Sequence, residues 1–177
     1  MTKIRPQYRV LYTDDNGKVT LWTPLKNVPV TAFTKRVVPE GKPHIVTHHK
    51  DLPDHRFIAS WELDHTPGTL RKDRVKVNMT KAKEKAHSWR QKARDREMGP
   101  FDKIVAAQIP NEAQEAEAER VKIRQKYADM QTAIDAATTP EELKALLTWE
   151  RDIKKLKADN EAKVKALKDK VKAKNNG

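Results

Sequence analysis

The chain has 177 residues, of which 37 are Lys or Arg and 25 are Asp or Glu, giving a formal charge of +12 at pH 7. Only 37% of residues are apolar against 35% charged, and the mean hydropathy is -0.89, which excludes one large hydrophobic core and favours helices that bury narrow stripes. Cysteine is absent, so disulfides, thiolate metal sites and thiol nucleophiles are excluded.

The N-terminus has no apolar leader and no eighteen apolar residues run together, so neither a signal peptide nor a membrane span is expected. The positive charge invites an acidic partner or nucleic acid, but its distribution alternates. Arg71 to Arg96 holds eleven basic and three acidic residues, Arg151 to Gly177 holds ten and four, and Glu112 to Glu119 between them holds four Glu and no base. Such alternation suits contacts between the chain's own segments or between subunits.

Taken in order, Tyr8 to Thr13 and Lys18 to Thr23 flank Asp14-Asp15-Asn16-Gly17, and Asn-Gly predicts a two-residue type I′ hairpin turn. That register puts Tyr8, Val10 and Tyr12 on one face with Val19 and Leu21, and Leu11 and Trp22 on the opposite faces. Val28 to Val38 reads as a third extended run with Pro29 at its edge or start. The acidic turn lacks the ligand spacing of a calcium loop. His44, His48 and His49, with His55 and His65 nearby, lack the helical HExxH arrangement of a zinc site and read as structural.

Asp51 to Trp61 is the joint between strand-rich and helix-rich sequence. Pro53 and Asp54 favour a short helical start, and Phe57, Ile58 and Trp61 then cluster on one side. After His65-Thr-Pro-Gly, the alternation of Val75 and Val77 with charge reads as a short strand or a basic loop. Asn78 caps a helix expected to reach about Met98, with Ala82, Ala86, Trp89 and Ala93 as its apolar stripe.

Gly99-Pro100 is expected to interrupt that helix and Pro110 to end the next one, which carries Phe101, Ile104 and Val105. Asn111 with Gln114 resembles a capping box opening a helix striped by Ile123, Tyr127, Met130 and Ile134. Thr139-Pro140-Glu141-Glu142 is a second capping box, and the helix it opens meets no breaker before Asn175. Its stripe is Leu146, Trp149, Ile153, Leu156, Asn160, Val164, Leu167 and Val171, with eleven-residue spacings that keep lysines out of the seam. A coiled coil with a second chain, its register fixed by Asn160, and a hairpin within one chain both satisfy this pattern.

The expected fold is α+β, with a small N-terminal antiparallel β-rich part over residues 1–50, a linker helix and basic helix over 51–110, and a helical hairpin or coiled coil over 111–177. No Gly-rich phosphate loop, nucleophile elbow or patterned carboxylate pair occurs, so no catalytic residue, cofactor or metal is expected. Lys81, Lys83, Lys85, Arg90, Lys92, Arg94 and Arg96 could track phosphates with Trp89 stacking. The position of Trp89 on the apolar stripe makes that the disfavoured reading.

Leu52-Pro53-Asp54, Arg56-Phe57, Ser60-Trp61, Met79, Lys81-Ala82, the series Arg90, Arg94 and Arg96, Asp102, Arg124, Met130, and Ala136-Ala137-Thr138-Thr139-Pro140-Glu141-Glu142-Leu143 carry a family resemblance. From Ile45 to Leu147 the chain resembles small bacteriophage proteins encoded among tail and tail-fibre genes, akin to the tail fibre assembly or chaperone-like group. The Gly99-Pro100 break and the lysine-rich end beyond Thr148 depart from that group's pattern.

The resemblance implies a non-enzymatic tail protein, without cofactor, that binds a tail fibre or another tail or baseplate protein. It would reside in the virion tail, in the host cytoplasm during assembly, or in both. Tyr12 and Trp22 on the β-rich part and Leu156 and Leu167 on the last helix are the expected partner contacts, a homo-oligomer through that helix being the alternative use of the latter two. Phe57, Trp61 and Trp89 are the expected scaffold anchors.

Overall fold

A computed structural model describes residues 3–109, 111–147 and 153–175, with the side chains of 3, 4, 153–156, 174 and 175 left outside that description. Pro110 and Trp149 therefore fall outside it. The chain divides into two compact units, Met1–Ala82 and Lys83–Gly177, so the expected 51–110 segment is shared between them. A small antiparallel β-rich part precedes a predominantly helical region that ends in a long helix.

In the N-terminal unit, β1 (Lys3–Ile4) pairs with β4 (Val28–Pro29), while β2 (Tyr8–Thr13) lies between β3 (Val19–Trp22) and β5 (His44–His48) in an antiparallel three-stranded sheet. The β2–β3 turn is not the expected type I′. Gly17 N–H donates to Asp14 O at 3.0 Å and Asp14 N–H to Lys18 O at 2.8 Å. Gly17 has φ 73 and Asn16 keeps a negative φ, which is a type I turn followed by a glycine bulge. Asp14 holds it by accepting from the Asn16 and Lys18 amides.

That extra loop residue slips the register by one, and in a strand one residue exchanges the faces. Leu11 faces Leu21, Thr13 faces Val19 and Val10 faces Trp22, so Val19 and Leu21 join Leu11 rather than Tyr8, Val10 and Tyr12.

The second correction concerns Val28 to Val38, which is not a third strand. After two residues of β4 it forms α1 (Val30–Val37), and β5 completes the sheet. Val30, Phe33, Thr34 and Val37 have helical spacing, the β-branched residues notwithstanding. Phe33 packs with Val10 in a buried cluster flanked by the partly buried Tyr8, Val28, Val30, Val37, Val38 and Val46. On the opposite sheet face Leu11, Val19, Ile45 and Thr47 are buried. Two 3-10 turns, His49–Asp51 and His55–Ser60, lead into β6 (Trp61–Leu63), which pairs with β7 (Val75–Val77).

The helix α2 (Met79–Ala106) is capped by the Asn78 side chain, which accepts from the Lys81 amide, and its first turn belongs to the N-terminal unit. Contrary to the expected break, it runs through Gly99 and Pro100. Proline removes the N–H that would meet the carbonyl of Arg96, four residues earlier. The side-chain amide of Asn160 supplies the replacement donor at 3.2 Å.

Left-handed backbone at Gln108 and Asn111 turns the chain, and α3 (Glu112–Ala136) starts without the side-chain cap bond expected of Asn111. The Thr139–Glu142 capping box is present and opens α4 (Pro140–Leu146). The helix expected to run unbroken from there stops at Leu146, where burial of Leu143 and Leu147 ties this short element down against α3. The long terminal helix α5 spans Ile153–Asn175. Ala93, Met98, Phe101 and Ile104 of α2, Ala116, Ile123 and Tyr127 of α3, and Leu167 and Val171 of α5 form one buried cluster.

Candidate partner-binding site

Of the four expected partner contacts burial removes Leu167 from the surface, while the expected scaffold anchors Phe57, Trp61 and Trp89 are buried or half-buried. Phe57 and Trp61 are buried in the N-terminal unit. The Trp61 and His55 rings meet at a tilt of 55°, 5.2 Å between centroids, and the Arg56 guanidinium grips Asp54 through two bonds of 3.0 and 3.1 Å just ahead of Trp61. Trp89 is half-buried with Lys85 Nζ 5.4 Å from its ring centroid, a cation–π arrangement. Leu167 is buried in the C-terminal unit's own cluster, and the Leu156 side chain lies outside the described residues.

His48 and His49 are likewise in structural use. His48 Nδ1 accepts from the Lys50 amide, His49 Nδ1 lies 3.1 Å from Gln7 O, and the Tyr8 and His48 rings meet edge on. Among the described residues no group of three or more His, Asp or Glu is placed to hold a metal ion.

Of the expected contacts, those at one end of the three-stranded sheet remain on the surface. In the order β3-β2-β5, β3 is an edge. Its last residue, Trp22, is 45% exposed, and in the bend that follows the strand Leu25 is 96% exposed. Tyr12, half-buried, stands between Thr20 of β3 and His44 of β5. No signal in the local pattern separates Leu25 from a core leucine, and its exposure follows from Pro24, which is buried while the next residue turns outward.

In the C-terminal unit the basic stretch of α2 is partly consumed internally. Arg90 is buried and donates to Tyr127 O at 3.1 Å, Lys83 donates to Asp135 O at 2.7 Å, and His87 Nε2 lies 2.9 Å from Asp135 Oδ1. Glu97, 2% exposed, anchors the centre. Its carboxylate accepts from Lys126 at 2.6 Å, from the Tyr127 hydroxyl at 2.9 Å and from Lys163 of α5 at 3.2 Å. Burial alone would raise the Glu97 pKa, but these donors outweigh it and hold the carboxyl below its ordinary value, while burial and the Glu97 charge push Tyr127 up.

The apolar stripe expected for α2 leaves out Arg90 and Glu97 because both are charged. They nonetheless continue the α2 stripe, since 86, 90, 93, 97, 101 and 104 are steps of three and four.

No family model, no curated protein and no solved structure matches the chain. Among the described residues no helix is long and apolar enough to cross a membrane. The arrangement leaves one side of β3 without a paired strand, beside exposed aromatic and aliphatic side chains, on one unit, and a charged helical surface on the other.

Proposed function

We propose that this chain is a non-enzymatic bacteriophage tail protein that binds a tail fibre or another tail component through its N-terminal unit. The observation that carries the reading is the β3 edge with Trp22 and Leu25 exposed beside it. An edge strand offers backbone donors and acceptors to an incoming strand, and adjoining large side chains add specificity. Fibre chains awaiting assembly present unpaired strands and apolar surface of that kind. The residue resemblance between Ile45 and Leu147 supplies the phage-tail context. Internal use of Lys83 and Arg90 weighs against a phosphate-tracking helix.

The test is co-expression with the product of the neighbouring fibre gene. Co-purification and an increased soluble fibre yield are expected, both reduced by Trp22→Ser with Leu25→Ser. An unchanged yield without co-purification overturns the reading. A permanent place in the tail, baseplate or neck makes the same demand on this surface, and mass spectrometry of purified particles separates it from a transient assembly role.

A further inference from the structure

A groove of about 950 Å3 runs between α2 and α5 in the C-terminal unit. Arg96, Lys157, Lys165, Lys168 and Lys172 line it against only two carboxylates, Glu161 and Asp169, while Pro100 and Val164 supply apolar surface. The described lysine side chains of α5 fall into two sets. Lys163 and Lys170 turn to Glu97 and Glu115 of their own unit, whereas Lys157, Lys165, Lys168 and Lys172 make no ion pair among the described residues. Asn160 also lines the groove. It is 6% exposed, and its Oδ1 has no hydrogen-bond partner among the described residues.

We propose that this groove receives an acidic amphipathic helix from a partner protein, laid along α2 and α5. Positions 157, 161, 165, 168 and 172 recur every three or four residues, so they share one face of α5 over roughly 22 Å, about four helical turns. That is the length of a helix, not of a compact small-molecule site. The net charge of the lining selects an acidic occupant.

The mixture of groups selects a peptide over a nucleic acid. Glu161 and Asp169 repel a uniformly charged phosphate backbone but pair with an occasional Lys or Arg of a peptide, and Val164 and Pro100 can pack against its apolar stripe. The acidic start of α3 cannot fill this role from within, because Glu115, Glu117 and Glu119 are paired with Lys170, Arg124 and Lys122. This site does not depend on the β3 edge.

The experiment uses the full chain and three probes: a fluorescent Glu-rich amphipathic peptide of about 20 residues, long enough to hold helix, a scrambled peptide of the same composition, and a single-stranded DNA oligonucleotide of similar length. Binding is read by anisotropy. The amphipathic peptide is expected to bind best, roughly tenfold weaker after Lys165→Glu, Lys168→Glu and Lys172→Glu together, and unchanged by Trp22→Ser. Circular dichroism checks that the triple variant retains its helix. Equal binding of the scrambled peptide, stronger binding of DNA, no binding of the peptide, or insensitivity to a folded triple variant each overturns the proposal. Absence of fibre binding by the unaltered chain, with peptide binding intact, overturns only the β-edge reading.

Discussion

The side-chain amide of Asn160 donates to the carbonyl oxygen of Arg96, the acceptor that Pro100 deprives of its helical donor four residues on. This contact supplies the donor that the proline removes and joins α5 to α2, beside the Lys163–Glu97 pair and the shared buried cluster. Removing Asn160 leaves that carbonyl without its donor, so Asn160→Ala should cost about 1–3 kcal/mol. In a Pro100→Ala background the backbone N–H returns and the same change should cost well under that. A double-mutant cycle by denaturant unfolding measures the coupling, and equal costs in both backgrounds would remove this account of the proline.

Glu97 predicts how the C-terminal unit responds to acid. Its folded pKa lies below the ordinary carboxylate value because Lys126, Tyr127 and Lys163 outweigh the effect of burial. A depressed carboxylate contributes stability that is present above the unfolded pKa and is lost as pH falls through the folded one. Glu97→Gln should therefore destabilise by about 1–3 kcal/mol near neutral pH, with the gap to wild type narrowing as pH drops below the carboxylate range. Urea unfolding at a series of pH values checks this, and a pH-independent gap contradicts it.

Trp61, 2% exposed, belongs to the buried part of the N-terminal unit. Trp61→Ala should cost about 3–5 kcal/mol, visible as lost amide protection in β6 and β7 by hydrogen exchange. Full protection in those strands, together with loss of partner binding, would instead make Trp61 an interface residue.

Gly17 holds φ 73 in open space, with nothing within 4 Å of where a Cβ would sit. Gly17→Ala should therefore act through the backbone alone, at a cost of roughly 1 kcal/mol. Asn16→Ala should cost less, since only one of the two residues is left-handed. Thermal unfolding of both variants tests the bulged turn: a type I′ turn penalises both positions, and equal shifts would restore it.

Local pattern alone disclosed the helical stripes Ile123, Tyr127 and Ile134 and Asn160, Leu167 and Val171, the Thr139–Glu142 capping box, the Asn78 cap and the hairpin arms. Each is encoded within a few residues, through periodicity or a side chain that meets a nearby backbone group. Of the expected partner contacts, Trp22 keeps its exposure and Leu167 does not. Both are apolar residues on patterned elements, and nothing local distinguishes them.

The sequence by itself determined the α+β class and the narrowness of the core, because composition limits how much surface can be buried. Tertiary structure alone decided that Pro100 lies inside a helix, that Arg90 and Glu97 belong to a buried stripe, that Val30–Val37 is helical and that one extra loop residue exchanges the faces of β3. In each case the deciding partner is distant in sequence or the energetic difference is small: Asn160 for Pro100, Tyr127 and Lys163 for the charges, Val10 and Val46 for Phe33, and one bulged residue for the register. Local propensity favours the wrong answer at such places until a remote contact outweighs it.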